Sequence, residues 1–269
     1  MDKTIDAVRA FYNGSAETEY QRIAGRPEFL LTSRYMARYI KPGDRVLDVG
    51  GGPGRYAHAL AERGCEVTLY DLAEENVAFA QRMAKTRGLS LRAVCGDARE
   101  VDRVLEGPFD HVLLMGPLYH LLEEADRVKA VEACIRLLKP NGTFFASFIV
   151  IFAGIIYAMK FAPQILLSSD ASEQAFRTCV LRQESYAGDA FTQAFFVQQA
   201  EIMPFMARFP LEKLHLFGQE GILSPCEAHI ASQGPEVMDA WLDLSEAIGE
   251  REELLSWSEH LMYVGRKLP

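Results

Sequence analysis

The 269-residue sequence has only five cysteines, Cys65, Cys95, Cys134, Cys179 and Cys226, and no two of them form a C-x-x-C pair. An odd, scattered set suits a reduced, cytoplasmic protein better than a disulfide scaffold. His58, His111, His215, His229 and His260 show no zinc spacing. Dense Lys/Arg runs are also missing, and with a net charge of −9 the average field repels phosphate polyanions, so nucleic acid is a disfavoured partner. The apolar run 144–159 falls short of the roughly 20 residues that span a bilayer, and Pro163 interrupts its extension, so a membrane-spanning helix is not expected. Residues 1–6 begin no apolar signal segment, which argues against secretion. Without repeats or low-complexity linkers, and with 49% hydrophobic residues, the chain reads as one large domain with an ample core.

Against these absences stands the stretch 45–54, Arg-Val-Leu-Asp-Val-Gly-Gly-Gly-Pro-Gly, an apolar strand ending in an acid and a glycine-rich turn. Such a turn lets the backbone approach a nucleoside, and the acid can hold a cation or a hydroxyl. The spacing of Asp48, Gly50, Gly52 and Gly54 is D-x-G-x-G-x-G. The dinucleotide fingerprint is G-x-G-x-x-G with its acid about 20 residues later, whereas here the acid lies inside the motif. Around it the chain alternates. Residues 12–39 read as a helix, 45–49 as a strand, 56–63 as a helix closed by Gly64, and 66–70 as a second strand. A helix at 77–87, strands at 91–94 and 110–115, a helix at 125–138 and a fifth strand at 143–149 follow.

Strands separated by such helices predict an α/β fold, a parallel sheet with helices on both faces, and its ligands bind outside the carboxyl ends of the strands. That rule gathers Asp48 and its glycines, Asp71, Asp97 and Met115-Gly116-Pro117 along one edge. Asp71 suits a carboxylate that accepts from two ribose hydroxyls.

In this order the glycine motif, the acid after the second strand, Gly96-Asp97-Ala98 and the turn Leu137-Leu138-Lys139-Pro140-Asn141-Gly142-Thr143 resemble class I S-adenosylmethionine-dependent methyltransferases of the small-molecule type, over about residues 45–149. The resemblance implies a Rossmann-like, seven-stranded, mostly parallel sheet with an inserted lid, and S-adenosyl-L-methionine as cofactor. It implies that Gly50, Gly52 and Gly54 line the cofactor's methionine portion with Asp48 near its ammonium. Asp71, beside Leu72, would hold the ribose, Asp97 with Ala98 would meet the adenine edge, and Met115 would join the wall. The amino-terminal segment often closes over the cofactor in similar enzymes, so Tyr20 and Arg22 belong to the expected site, Arg22 pairing with the cofactor carboxylate. The expected plan is a helical cap at 1–40, a cofactor-binding core at 41–150, a lid at 151–205, and final strands and a helix at 206–269, with 211–218 and 259–265 as the strands.

A sulfonium already activates its methyl group, so such a site mainly aligns a nucleophile and takes a proton where one must leave. His120, just beyond the fourth strand, is the best-placed general base, its alternative being a loop histidine bonded to backbone. Tyr119 would orient substrate or cover the cofactor, or else pack. Met115-Gly116-Pro117-Leu118 stands where enzymes that methylate adenine or glutamine amino groups carry Asn/Asp-Pro-Pro-Tyr, and no carboxylate there would hold magnesium; no metal is expected. The aromatic-rich span 155–205 lines an apolar acceptor pocket or packs a lid onto the sheet. The expected function is methyl transfer to a small, partly apolar or aromatic acceptor. An RNA or protein methyltransferase and a non-catalytic cofactor-binding regulatory protein stay open as alternatives, and no residue pattern speaks to oligomeric state.

Overall fold

The computed structural model describes residues 3–269. Where the sequence reads as one helix over 12–39, the chain forms three: α1 (Lys3–Asn13), α2 (Ala16–Arg22) and α3 (Pro27–Tyr39). The second break has a backbone cause. Gly25 adopts φ 70°, a left-handed conformation that glycine takes without steric cost, and Pro27 opens α3, where its missing N–H sacrifices no helical hydrogen bond.

The chain then alternates through β1 (Arg45–Val49), α4 (Arg55–Glu62), β2 (Glu66–Asp71), α5 (Glu74–Thr86), β3 (Leu91–Cys95), α6 (Val101–Val104), β4 (Phe109–Leu114), α7 (Pro117–His120), α8 (Glu124–Leu137) and β5 (Leu138–Ile149). An insertion follows: α9 (Phe152–Phe161), α10 (Ala171–Arg182), the hairpin β6 (Tyr186–Asp189) and β7 (Gln193–Phe196), and α11 (Gln199–Met206). The chain closes with β8 (Leu211–Gly218), α12 (Glu227–Ala231), α13 (Pro235–Ile248), α14 (Glu252–Leu255) and β9 (His260–Lys267). β5 starts five residues earlier than the strand expected at 143–149. The turn Lys139–Gly142 is accommodated by a register shift, in which Phe109 pairs with Leu138 but His111 with Thr143, and Asn141 takes φ 62°.

The main sheet has seven strands in the order β3-β2-β1-β4-β5-β9-β8. The first five are parallel, and β9 runs antiparallel to both its neighbours. Chain order reverses between β1 and β4, the switch point at which sheets of this Rossmann-like kind leave a crevice. Because side chains alternate along a strand, Leu47 and Val49 join Val112, Leu114 and Phe144 under Val131 and Cys134 of α8. Val46 faces the opposite layer with Leu113, Phe145 and Val264, beneath Tyr35 and Met36 of α3 and Leu60 of α4. Asp48 shares the face of Val46 and is buried with it. Among the described residues no helix is long and apolar enough to cross a membrane.

The layer under α3 is keyed by Tyr35, whose ring stacks on Phe217 of β8 at 3.6 Å between centroids and 8° between planes. Both rings are fully buried. Phe217→Ala removes that contact from a closed layer and is expected to lower stability by about 3–5 kcal/mol, measured by urea unfolding at constant m-value.

Candidate active site

The turn after β1 approaches the turn after β4 so closely that side chains are excluded. Gly50 takes φ 72°, and a Cβ on it would stand 2.3 Å from Cδ of Pro117. A Cβ on Gly51 would stand 2.6 Å from Oδ2 of Asp48. Gly52, at φ 55°, donates its N–H to Oδ2 of Asp71 at 2.8 Å. The result is a cradle of bare backbone over two buried carboxylates.

The two carboxylates differ in how they are satisfied. Asp71 Oδ1 also accepts from the Ala73 N–H at 2.9 Å and Asn76 Nδ2 at 3.1 Å. Both oxygens of Asp48 are buried with no hydrogen-bond partner among the described residues. Burial, reinforced by the charge of Asp71, pushes the Asp48 carboxyl up to about 7. Burial also raises Asp71 despite its three donors.

These groups line an inner cavity together with Leu72, Ala98, Asp97, Met115, Tyr119, His120 and Arg22, and helix α1 roofs it with Ile5, Val8 and Tyr12. The structure therefore brings together most of the residues expected there, but not all. Gly54 is the N-cap of α4 at φ 88° and faces His58, Ala80 and Leu69, so its role is close packing of α4 on the sheet. Tyr20 does not line the cavity. Its ring lies 3.8 Å from the Arg55 guanidinium, and its hydroxyl accepts from Arg87 at 2.8 Å, so it braces α2 against α4 and α5. Asp97 caps the turn that follows it by accepting from the Arg99 N–H at 2.9 Å, and it binds the Arg99 guanidinium at 2.6–3.1 Å. Arg99 reaches on to Asp126 at 2.7 Å. Arg22 bonds Glu19 at 2.8 Å and Glu28 at 3.3 Å.

His120 is buried and doubly engaged. Nδ1 must carry the proton that it donates to the Gln193 carbonyl at 3.0 Å, so Nε2 accepts from the Tyr12 hydroxyl at 2.9 Å. Burial lowers its pKa to about 4 against that backbone bond. The ring thus ties α1 to the β6–β7 hairpin, and its one lone pair is already used.

A second, outer cavity of about 580 Å³ lies under the insertion, within the size range of small-molecule sites. Ile149, Ala153, Ile155, Ala158, Phe176, Phe191 and Phe196 give it apolar walls. Within the aromatic-rich span, Ile155 lines this cavity while Met159 and Phe161 are exposed on α9. Tyr12, Glu19, Arg22 and Tyr119 line both cavities and form the seam between them. Near the seam are Glu28, Ser147, Gln219, Glu220 and His260, none of which the sequence reading assigned to the site. The signal was topological: a last strand antiparallel to β5 starts at the carboxyl edge, and His260 is its first residue.

Sheet order, crevice and glycine cradle define a Rossmann-like α/β fold, and known proteins share it. The family described as a methyltransferase domain matches residues 46–142. The ubiquinone biosynthesis O-methyltransferase of Methylocella silvestris is 32% identical over 175 residues, covering 60% of this chain and 62% of that protein. The protein of the same name from Xanthomonas campestris pv. campestris (strain B100) is 37% identical over 111 residues, covering 41% and 45%. The chain spans less than two thirds of the length of these curated relatives. Among solved structures, the 1,6-didemethyltoxoflavin-N1-methyltransferase of Burkholderia thailandensis aligns with a TM-score of 0.61 at 18% identity, over 98% of this chain and 88% of its own. The magnesium protoporphyrin IX methyltransferase of Synechocystis PCC 6803 aligns with 0.59 at 14%, over 98% and 99%. Residues 46–142 are thus similar to a methyltransferase domain, and the chain shares the fold of these methyltransferase structures.

Asp48 yields a prediction without any ligand. Its folded pKa stands above the ordinary 3.8, so ionisation opposes folding, and the stability lost grows as pH rises from 3.8 to about 7 and then stays lost. Asp48→Asn removes that charge and should melt at a higher temperature than the parent at pH 8, with the difference vanishing at pH 4. Equal melting temperatures at pH 8 would contradict an unpaired, ionising Asp48.

Proposed function

We propose that this chain transfers a methyl group from S-adenosylmethionine to a small, partly apolar aromatic acceptor. The observation that carries the reading is Asp48: a buried carboxylate with no partner among the described residues, at the floor of a backbone cradle, fits a ligand that brings a cation or strong donors. The cofactor's ammonium and its ribose hydroxyls are such groups. The cofactor supplies an electrophilic methyl group on a sulfonium. The chain's own residues do the rest. The backbone at Gly50 and Gly52 admits the methionine portion, Asp48 holds its ammonium, and Arg22 is near enough to the seam to take its carboxylate.

Asp71 has three donors on two oxygens and so retains room for a ribose hydroxyl. Leu72, Ala98 and Met115 are the apolar wall for the nucleoside, and Asp97, fixed by Arg99, borders it. Tyr119 faces donor and acceptor at once and excludes water between them. His120 acts as a clasp that holds Tyr12 in place.

The acceptor reading rests on the apolar outer cavity, and the O-methyltransferase names of the matched relatives favour an oxygen nucleophile. No carboxylate stands at the end of β4, so a metal-held catechol has no ligands there. Five free cysteines favour a reducing, cytoplasmic setting.

Calorimetry with S-adenosylmethionine tests the cofactor half. Asp71→Ala deletes charge-assisted hydrogen bonds worth about 1.5–3 kcal/mol each, so affinity should fall at least about tenfold with the circular dichroism unchanged. Unaltered binding would defeat the assignment. Turnover is checked by S-adenosylhomocysteine released when the protein is given a small-molecule extract; cofactor binding with no such product from any fraction would favour a non-catalytic role.

A further inference from the structure

His260 opens β9, and because β9 runs antiparallel to β5, with Ile149 opposite His260, the residue reaches the carboxyl edge of the sheet. Its Nδ1–H donates to Oε1 of Glu220 at 2.6 Å. Glu220 is held in turn: Oε2 accepts from Ser258 Oγ at 2.6 Å, from the Glu259 N–H at 3.1 Å and from the His260 N–H at 3.0 Å. A carboxylate fixed by three donors fixes the imidazole it binds, in orientation and in tautomer. Nε2 makes no hydrogen bond among the described residues, and His260 lines the outer cavity. One oxygen each of Glu28 and Glu220 and a ring nitrogen of His260 lie within 4.8 Å of one another, and Glu28 lines the inner cavity. The pair therefore stands at the seam, where a methyl group from one cavity meets a nucleophile in the other.

We propose that His260, oriented by Glu220, takes the proton from the acceptor's hydroxyl, and that the acceptor is a phenol whose hydroxyl lies at the seam with its apolar part in the outer cavity. This rests on the methyl-transfer reading above. In the step, a lone pair of the acceptor oxygen forms the new carbon–oxygen bond as the carbon–sulfur bond breaks and leaves its electron pair on sulfur. The hydroxyl proton passes to Nε2 of His260 and from there to solvent.

The surroundings set the strength of this base. Burial alone would depress the imidazole, but Glu220 and then Glu28 outweigh it while Arg22 opposes them, which leaves His260 raised to about 9. Tyr119 faces the ring at 6.1 Å, and Lys160 of α9 neutralises Glu259 and Glu227 at 2.9 and 2.7 Å. At about 9 the imidazole is in its neutral, proton-accepting form chiefly at alkaline pH, so proton transfer to it should gain as the pH rises towards that value. His120, by contrast, has its lone pair occupied and its pKa at about 4.

The test uses the full chain with S-adenosylhomocysteine and 4-nitrophenol as probe, whose phenolate is read by visible absorbance. Calorimetric binding of S-adenosylhomocysteine comes first; its absence in the parent would sink the methyltransferase reading and this one with it. With that binding intact, 4-nitrophenol should bind as phenolate at about one pH unit below its own pKa. His260→Gln should keep S-adenosylhomocysteine affinity within about twofold and lose the phenolate signal at least about tenfold. The imidazole NMR signal that disappears in His260→Gln should titrate near pH 9 in the parent and at least about one unit lower in Glu220→Gln, the mark of a positioning carboxylate. A probe that fails to bind, binds as neutral phenol, or gives the same phenolate signal in His260→Gln overturns the proposal.

Discussion

Asp48 carries the constraint on which the rest of this structure depends. It sits on a central strand of a sheet buried on both faces, and neither of its oxygens has a partner among the described residues. A packed protein does not keep such a group for stability, since an unpaired buried charge costs several kcal/mol unless it neutralises. Its surroundings leave room for a ligand to approach. The backbone beside it lacks side chains where any would collide, and Asp71 orders that backbone through the Gly52 N–H. Positive-φ glycines and the buried Asp48 carboxylate are gathered at the point where the sheet opens, the usual pattern when a site is kept at the expense of the fold.

The parallel half of the sheet was legible because its signals are local. Alternating apolar runs mark β1 to β4 to within a residue or so, and the glycine turn fixes the switch point. β8 was found at its observed bounds. The losses came where backbone chemistry acts against pattern. Gly25 and Pro27 divide an amphipathic amino terminus into separate helices, and the turn at Lys139–Gly142 is absorbed into a strand as a register shift.

Side-chain fates were harder still. Asp71 and Met115 reached the cavity because strand ends place them there. Tyr20 and Gly54 turned away from it, because which way a residue near a helix end faces depends on packing between helices that no local spacing encodes. His120 was found in the site, but its chemistry depends on Tyr12 and Gln193, which lie 108 and 73 residues away in the chain. His260 and Glu220 were missed for the same reason: their meeting needs the antiparallel placement of β9 between β5 and β8.

Helix α1 belongs to no layer of the sheet, yet it roofs both cavities, and one hydrogen-bonded ring joins it to the hairpin of the insertion. Phe11, next to Tyr12, meets Phe191 of the β6–β7 turn at 6.0 Å, so the junction has an apolar seal as well. The helix that closes one chamber therefore closes the other as well, so an opening at either is a movement of the same roof.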